Sequence, residues 1–303
     1  MKRKLSMMAV LLAASLTTYA QQHHYDPPWN TPPQSKVSFT VPGIDNIPDL
    51  YGDINDPQLV VFFGGNQFMC IDDLLSAFKK AYPAYQRIFA ETLPPGILAR
   101  QIAGGDLTIG NLHITLPPDV FTAGKGQLHE MAALFSDTAS YTANKLAIMV
   151  QQGNPKHIHG LKDLGRAGVR VSMPNPAWEG IGQQLQHCFV IAGGDSLRQA
   201  IMNTKVKDGS TFLTQIHHRQ TPMRVLYDQS DAGPVWYSEV YYQQLIGHPV
   251  DLIPIPDQEN ITAIYTAGVM KNAPHAQAGR DFLHFLQSTA AREVYKKYGF
   301  DVW

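Results

Sequence analysis

The densest chemistry in this 303-residue sequence is the run Ile216-His217-His218-Arg219-Gln220-Thr221-Pro222. Arginine supplies a planar fork of donors that matches a carboxylate or phosphate, and neighbouring imidazoles add more. His217, His218 and Arg219 could therefore grip an anion at a helix start, where backbone N–H groups already favour negative charge. The same two histidines could hold a metal or a metal chelate, with Cys70 as a soft further ligand. The plainer readings are a helix cap with exposed imidazoles and a buried, inert thiol. Glu179 could pair with Arg219, receive an amine or hydroxyl, or serve only as a first-turn acid favoured by the helix dipole. Trp178 and Trp236 are stacking platforms or simple core residues. His113, His157 and His159 read as solvated loop or strand residues. GxSxG, HExxH, P-loop and dinucleotide motifs are all absent, so no catalytic role and no cofactor are expected.

The elements that must position these groups alternate between strand and helix. LVVFFGG (59–65) is an apolar run closed by glycines, the mark of a strand buried on both faces. A helix over 69–82, a strand at 86–91 and, after Pro94-Pro95-Gly96, a helix over 97–103 follow. Residues 107–122 read as a hairpin and a strand, and 141–150 as a longer strand. Then come a short helix from Leu161, a strand at 168–173, and a helix over 180–192 stopped by Gly193-Gly194. Further helices fall at 197–204, 222–228 and 238–245, with strands at 232–236, 250–254 and 261–270. Amphipathic helices over 276–287 and 290–298 close the chain. Such alternation demands α/β architecture with mainly parallel sheets flanked by helices.

Residues 1–20 carry Lys2, Arg3 and Lys4, then an apolar stretch, then Thr18-Tyr19-Ala20. That is the pattern of a cleaved secretory signal. Without it the chain keeps 21 basic and 25 acidic residues, a net charge near −4. No positive stripe remains to bind nucleic acid, and no later segment is apolar enough to span a membrane. Residues 21–45, rich in Pro, Gln and His, read as a tether or surface strap, and His23 could join a free N-terminus in chelating copper or nickel. Cys70 and Cys188 are expected as free thiols in different lobes.

Several segments, in order, resemble the type II periplasmic binding proteins of ABC transporters, and most closely their molybdate/tungstate-binding branch. They are VVFFGGN, PPGILARQI, YTANKLAIMVQQGNPKHIHGLKDL, GVRVSMPNP, SDAGPVWYSEV and FLHFLQSTAAREVYKKYGF, spanning about 58–303 except an insert near 104–124. The resemblance implies a two-lobed α/β clamp joined by two crossover strands, with lobe 1 over 46–140 plus 263–303 and lobe 2 over 141–262. It implies a monomer that closes on a small anionic ligand and hands it to an inner-membrane permease; a metal-complex carrier and a ligand-binding sensor are the alternatives. Carried position by position, the first loop offers Asn66 and Gln67, and the second Pro95 and Gly96. Lobe 2 offers Trp178, Glu179 and Gly180, then His217, His218, Arg219 and Thr221, and a wall of Trp236 and Tyr237. The two serine hydroxyls that the family places on an oxyanion are absent here. Glu179 would repel a bare dianion, and Trp178, Trp236 and Tyr237 suggest a flatter or larger ligand stacked between the lobes.

Overall fold

The computed structural model describes residues 37–39, 47–215 and 217–303. The readings on residues 1–20 and on most of 21–45 lie outside the described residues. Val37–Phe39 forms strand β1, paired antiparallel with β2 (Leu50–Gly52).

Strand β3 (Leu59–Gly64) shows why its sequence is apolar throughout. Leu59, Val61 and Phe63 enter one core cluster, while Val60 and Phe62 enter another on the opposite face. Successive strand side chains point to opposite faces, so a strand covered on both sides needs apolar residues everywhere. Helix α1 (Ile71–Ala81) buries Ile71, Leu74, Leu75 and Phe78, one stripe at helical spacing. Asp72 and Asp73 open it and Lys79 and Lys80 close it, complementing its dipole. β4 (Ile88–Leu93) lies parallel to β3, followed by α2 (Pro95–Gly104), whose Pro95 occupies the first helical position. The hairpin β5 (Leu107–Ile109) and β6 (Leu112–Ile114) leads to β7 (Val120–Gly124), parallel to β3, and to α3 (Lys125–Glu130).

Strand β8 (Phe135–Gln151) passes from one sheet into the other. Its residues 135–145 pair with β13 (Thr262–Met270), whereas 146–151 pair with β11 (Ala232–Trp236) and β12 (Val250–Pro254). The second sheet adds β9 (Val171–Met173) and β10 (Thr211–Leu213). Around it lie α4 (Gly180–Gln199), α5 (Lys205–Lys207), α6 (Gln220–Leu226) and α7 (Tyr237–Leu245). β13 carries the chain back to the first sheet, where α8 (Ala276–Leu286) and α9 (Thr289–Lys297) complete the fold. The protein is thus two-lobed. Each sheet has a parallel centre, β4-β3-β7 and β10-β9-β11, and turns antiparallel where β8 and β13 run.

Gly193 and Gly194 interrupt α4 as their sequence suggests, with Gly194 at φ 73°. The three-residue strands β2 and β10 and the six-residue α3 are not legible in the sequence, because elements this short carry no measurable period. The position of β2 depends on a glycine. Gly52 sits at φ 103°, and a Cβ there would lie 2.0 Å from the Ile88 carbonyl oxygen. Only glycine lets the chain run this close to β4. Just before β2, Thr92 N–H donates to the Asp49 carbonyl at 2.8 Å, and Thr92 Oγ1 donates to the Pro48 carbonyl. Residues 48–52 are thereby fixed beside the carboxyl end of β4.

One buried acid in the first lobe gives a test of the packing. Glu91 on β4 accepts from Gln101 Nε2 at 3.0 Å, yet Glu91 Oε2 and Gln101 Oε1 are buried without a hydrogen-bond partner among the described residues. Burial, with a smaller contribution from the charge of Asp49, pushes its pKa from 4.5 up to about 8. The folded state then holds this proton more tightly than the unfolded one. Its contribution to stability is complete below about pH 4.5 and is lost as pH rises to about 8. Glu91→Gln, which keeps the shape without the charge, should therefore raise the melting temperature at pH 8 by several degrees. Near pH 4.5 the difference should vanish; equal melting curves at pH 8 would contradict the assignment.

Candidate functional site

The loops named from the sequence all leave the carboxyl ends of strands, the edge where α/β sheets bind ligands. β3 ends at Gly65-Asn66-Gln67, β4 at Pro94-Pro95-Gly96, β9 at Pro174 to Glu179, β10 at Thr214 to Arg219, and β11 at Trp236-Tyr237. The lobes meet here with little clearance. A Cβ on Gly65 would lie 3.3 Å from the His217 ring, and one on Gly96 would lie 3.2 Å from the Trp178 carbonyl oxygen.

Two charged groupings occupy this contact. In the first, Arg219 Nη2 donates to Asp49 Oδ1 at 2.6 Å, and His217 Nε2 lies 2.8 Å from the same oxygen. Arg219 Nη2 and His217 Nε2 are themselves 2.8 Å apart. All three residues are almost fully buried, and the guanidinium lies 5.7 Å from the ring centre of Phe68. Asp49 and Phe68 come from the first lobe, and His217 and Arg219 from the second.

In the second grouping, His218 lies between two carboxylates. Its Nδ1 is 2.5 Å from Glu179 Oε2, and its Nε2 is 3.0 Å from Glu239 Oε1. The His218 backbone N–H also donates to Glu179 Oε2, while Thr214 Oγ1 donates to Glu179 Oε1, each at 2.6 Å. Burial by itself pulls the imidazole pKa down, but the charges of Glu239 and Glu179 outweigh it and carry the group up to about 10. His218 is an imidazolium at neutral pH. Burial likewise pushes Glu179 up, yet His218 and Thr214 more than offset it, and its pKa falls below the usual carboxylate range.

These arrangements correct several expectations. Glu179 pairs with His218 and not with Arg219, whose carboxylate partner is Asp49. Its negative charge is therefore compensated inside the protein. The imidazoles of His217 and His218 are buried, not exposed. Cys70 does not join them: its Sγ donates to the Gln67 carbonyl at 3.0 Å, and burial drives its pKa far upward. Among the described residues no group of three or more His, Cys, Asp or Glu side chains is arranged to hold a metal ion. Both cysteines are free and buried, Cys70 in the first lobe and Cys188 in the second.

The remaining positions divide. Gln67 is engaged within the first-lobe core, giving to Thr122 Oγ1 and receiving from the hydroxyls of Tyr141 and Tyr295. Asn66 Nδ2 donates to the Tyr265 hydroxyl. Trp236 packs edge-on against Tyr265 at 6.1 Å between ring centres, and Tyr237 stacks on Tyr241 with Lys145 above it. Tyr237 thus belongs to a different surface cluster from the charged groupings. Thr221 bonds Ser172 Oγ at 2.9 Å and shapes the base of the second lobe. Pro95 starts α2, with its carbonyl receiving Gln127 Nε2, and Gly180 is exposed at the start of α4. Trp178 is half-buried at the lobe contact, and its buried Nε1–H has no hydrogen-bond partner among the described residues. Asp49, Glu239, Thr214 and Phe68 were missed. Asp49 stands in a Pro-rich approach with no period, and Glu239 reads as an ordinary first-turn acid.

Two lobes bridged by two strands, with converging polar groups at the strand ends between them, define a clamp that binds a small solute. Residues 59–301 match the family described as bacterial extracellular solute-binding protein, and the chain belongs to that family. Its members are binding proteins, not enzymes. Among curated proteins the chain is 22% identical over 186 residues to the molybdate-binding protein ModA of Mycobacterium bovis, covering 60% of this chain and 65% of that protein. It is 23% identical over 170 residues to the putative ABC transporter substrate-binding lipoprotein YvgL of Bacillus subtilis, covering 54% and 58%. The chain thus spans less than two-thirds of the length of these curated relatives. Among solved structures it resembles the periplasmic molybdate-binding protein of Azotobacter vinelandii, with TM-score 0.64 and 16% identity over 81% of this chain and 99% of that one. No helix among the described residues is long and apolar enough to cross a membrane.

Proposed function

We propose that this chain is exported through the signal at residues 1–20, captures a small anionic solute between its lobes as a monomer, and delivers it to an ABC-type permease. The observation that carries the anionic part is the His217–Arg219 pair. An imidazole nitrogen and a guanidinium donor of the second lobe, both buried, converge on one carboxylate oxygen, at 2.8 and 2.6 Å, at the lobe boundary. A guanidinium beside an imidazole is a strong anion grip where water is excluded. The Trp178 indole N–H, buried and unengaged among the described residues, offers a further donor at the same contact. Relatives named for molybdate and a structural neighbour named for sulfate, SubI of Mycobacterium tuberculosis, support an anionic cargo.

The serine hydroxyls expected for a bare oxyanion are missing, and aromatic Trp178 and Phe68 stand nearby. These features favour an anionic group carried on an organic body. With lobe boundaries near 140/141 and 262/263, the strands β8 and β13 serve as the hinge on which the clamp closes.

The test is a thermal-shift screen of the ligand-stripped mature protein against molybdate, tungstate, sulfate, phosphate, small carboxylates and sugar phosphates. A solute at 100 times its dissociation constant adds about 2.7 kcal/mol, readily visible as a higher melting temperature. Divalent metals, with and without chelator, complete the panel. Stabilisation by organic anions is the expected result. Response to molybdate and tungstate alone would restore the simple-oxyanion specificity, and response to divalent metals alone would replace the anion reading with metal binding.

A further inference from the structure

The oxygen that His217 and Arg219 hold belongs to the protein itself. Asp49 reaches across from the first lobe, and its position is built, not incidental. Thr92 ties its backbone to β4, Gly52 permits the tight path behind it, and its side chain is 1% exposed. A carboxylate bound this way presents the second lobe with the charge and hydrogen-bond geometry of an anionic solute. Because Arg219 Nη2 and His217 Nε2 both point at Oδ1, a solute oxygen and the Asp49 oxygen compete for the same place.

We propose that Asp49 is a specificity-determining residue: a resident carboxylate that fills the anion position of the His217–Arg219 pair, so that a solute is captured only when its own anionic group displaces it. The proposal rests on the reading of this cleft as an anion site. Displacement separates two charges that are paired in the closed clamp. It therefore penalises weak, singly charged or poorly fitting anions most, and admits those that bring additional contacts to the other lobe. The same carboxylate bridges the lobes, so its pairing favours contact between them.

Two variants test this, Asp49→Asn, which keeps the shape, and Asp49→Ala, which leaves a carboxylate-sized vacancy. Binding of sulfate and of phosphate would be measured by calorimetry for the mature wild-type protein and for each variant. Small-angle scattering would follow lobe separation with and without sulfate. The expected result is at least ten-fold tighter anion binding in Asp49→Asn, a more open unliganded shape, and compaction when sulfate is added. Acetate, placed in the vacancy, should raise the melting temperature of Asp49→Ala and leave wild type and Asp49→Asn unchanged. If Asp49→Ala does not fold, Asp49→Asn and the scattering carry the test.

Wild type binding sulfate or phosphate as well as or better than both variants would overturn the proposal while leaving the anion site standing. Acetate stabilising Asp49→Ala, with neither anion binding any form, would support the resident carboxylate and count against anion capture. No binding by any form and no acetate effect would sink both.

Discussion

Replacing Arg219 by Met is expected to lower the free energy of unfolding by about 3–5 kcal/mol, the usual cost of breaking a buried ion pair by removing one partner. Arg219 is 1% exposed and spans the lobe boundary to Asp49 at 2.6 Å. Met fills similar volume but takes the guanidinium away from the buried Asp49 carboxylate. Much of the loss is therefore the cost of a buried carboxylate deprived of its guanidinium, and a second substitution should recover part of it. Arg219→Met combined with Asp49→Asn is expected to be more stable than Arg219→Met alone by at least 1 kcal/mol, about the size of coupling seen between contacting charged groups. Urea unfolding of the four proteins closes the cycle. Additive effects would show that the two residues do not act as a pair. The same Arg219→Met protein should lose response to every anion that stabilises the wild type; retained affinity would remove the main contact on which anion capture rests.

Thermal stability is expected to fall as pH rises from about 6.5 to about 10, through the deprotonation of His218. The sign comes from linkage. The folded state holds the proton up to about pH 10 while the unfolded chain releases it near 6.5. The contribution is thus complete below 6.5 and gone above about 10, with each unit of difference worth about 1.4 kcal/mol. His218→Gln should be markedly less stable than wild type at pH 6, because Glu179 and Glu239 then face each other with no cation between them. The gap should narrow by pH 10, and the variant's own melting temperature should vary much less across this window. Glu91 acts in a lower window, from about 4.5 to about 8, that overlaps this one, so carrying both experiments on a Glu91→Gln background isolates the histidine. Parallel pH profiles for wild type and His218→Gln would mean that His218 is neutral in the fold.

Much of the scaffold was legible because it is written in local periodicity. The doubly apolar β3, the striped α1 and α8, and the glycine break in α4 follow from what a strand or helix can bury. Their order along the chain, together with the family resemblance, carried the two-lobed clamp. Site positions were readable only as loops. That His217, His218 and Arg219 lie at the lobe contact followed from their place in the chain order, but their partners did not. Asp49 lies 170 residues from Arg219 along the chain, and no spacing rule links a short Pro-rich approach to a distant helix start. The sequence offered one carboxylate for Arg219, namely Glu179, and the fold supplied another.

What the amino-acid sequence determined alone is the set of elements and the loops that carry polar side chains. Hydrophobic burial acts residue by residue and leaves its period in the chain. What only the tertiary structure decided is which charge neutralises which. A buried charge requires a partner at bonding distance, in whatever direction the packed backbone provides one. Hence Gln67 is spent on Thr122, Tyr141 and Tyr295, Cys70 is sealed in the core, and Tyr237 faces Tyr241. By the same reasoning Asp49, unmarked in the sequence, stands opposite Arg219, because β2 pairs with β4 and the second lobe folds back against it.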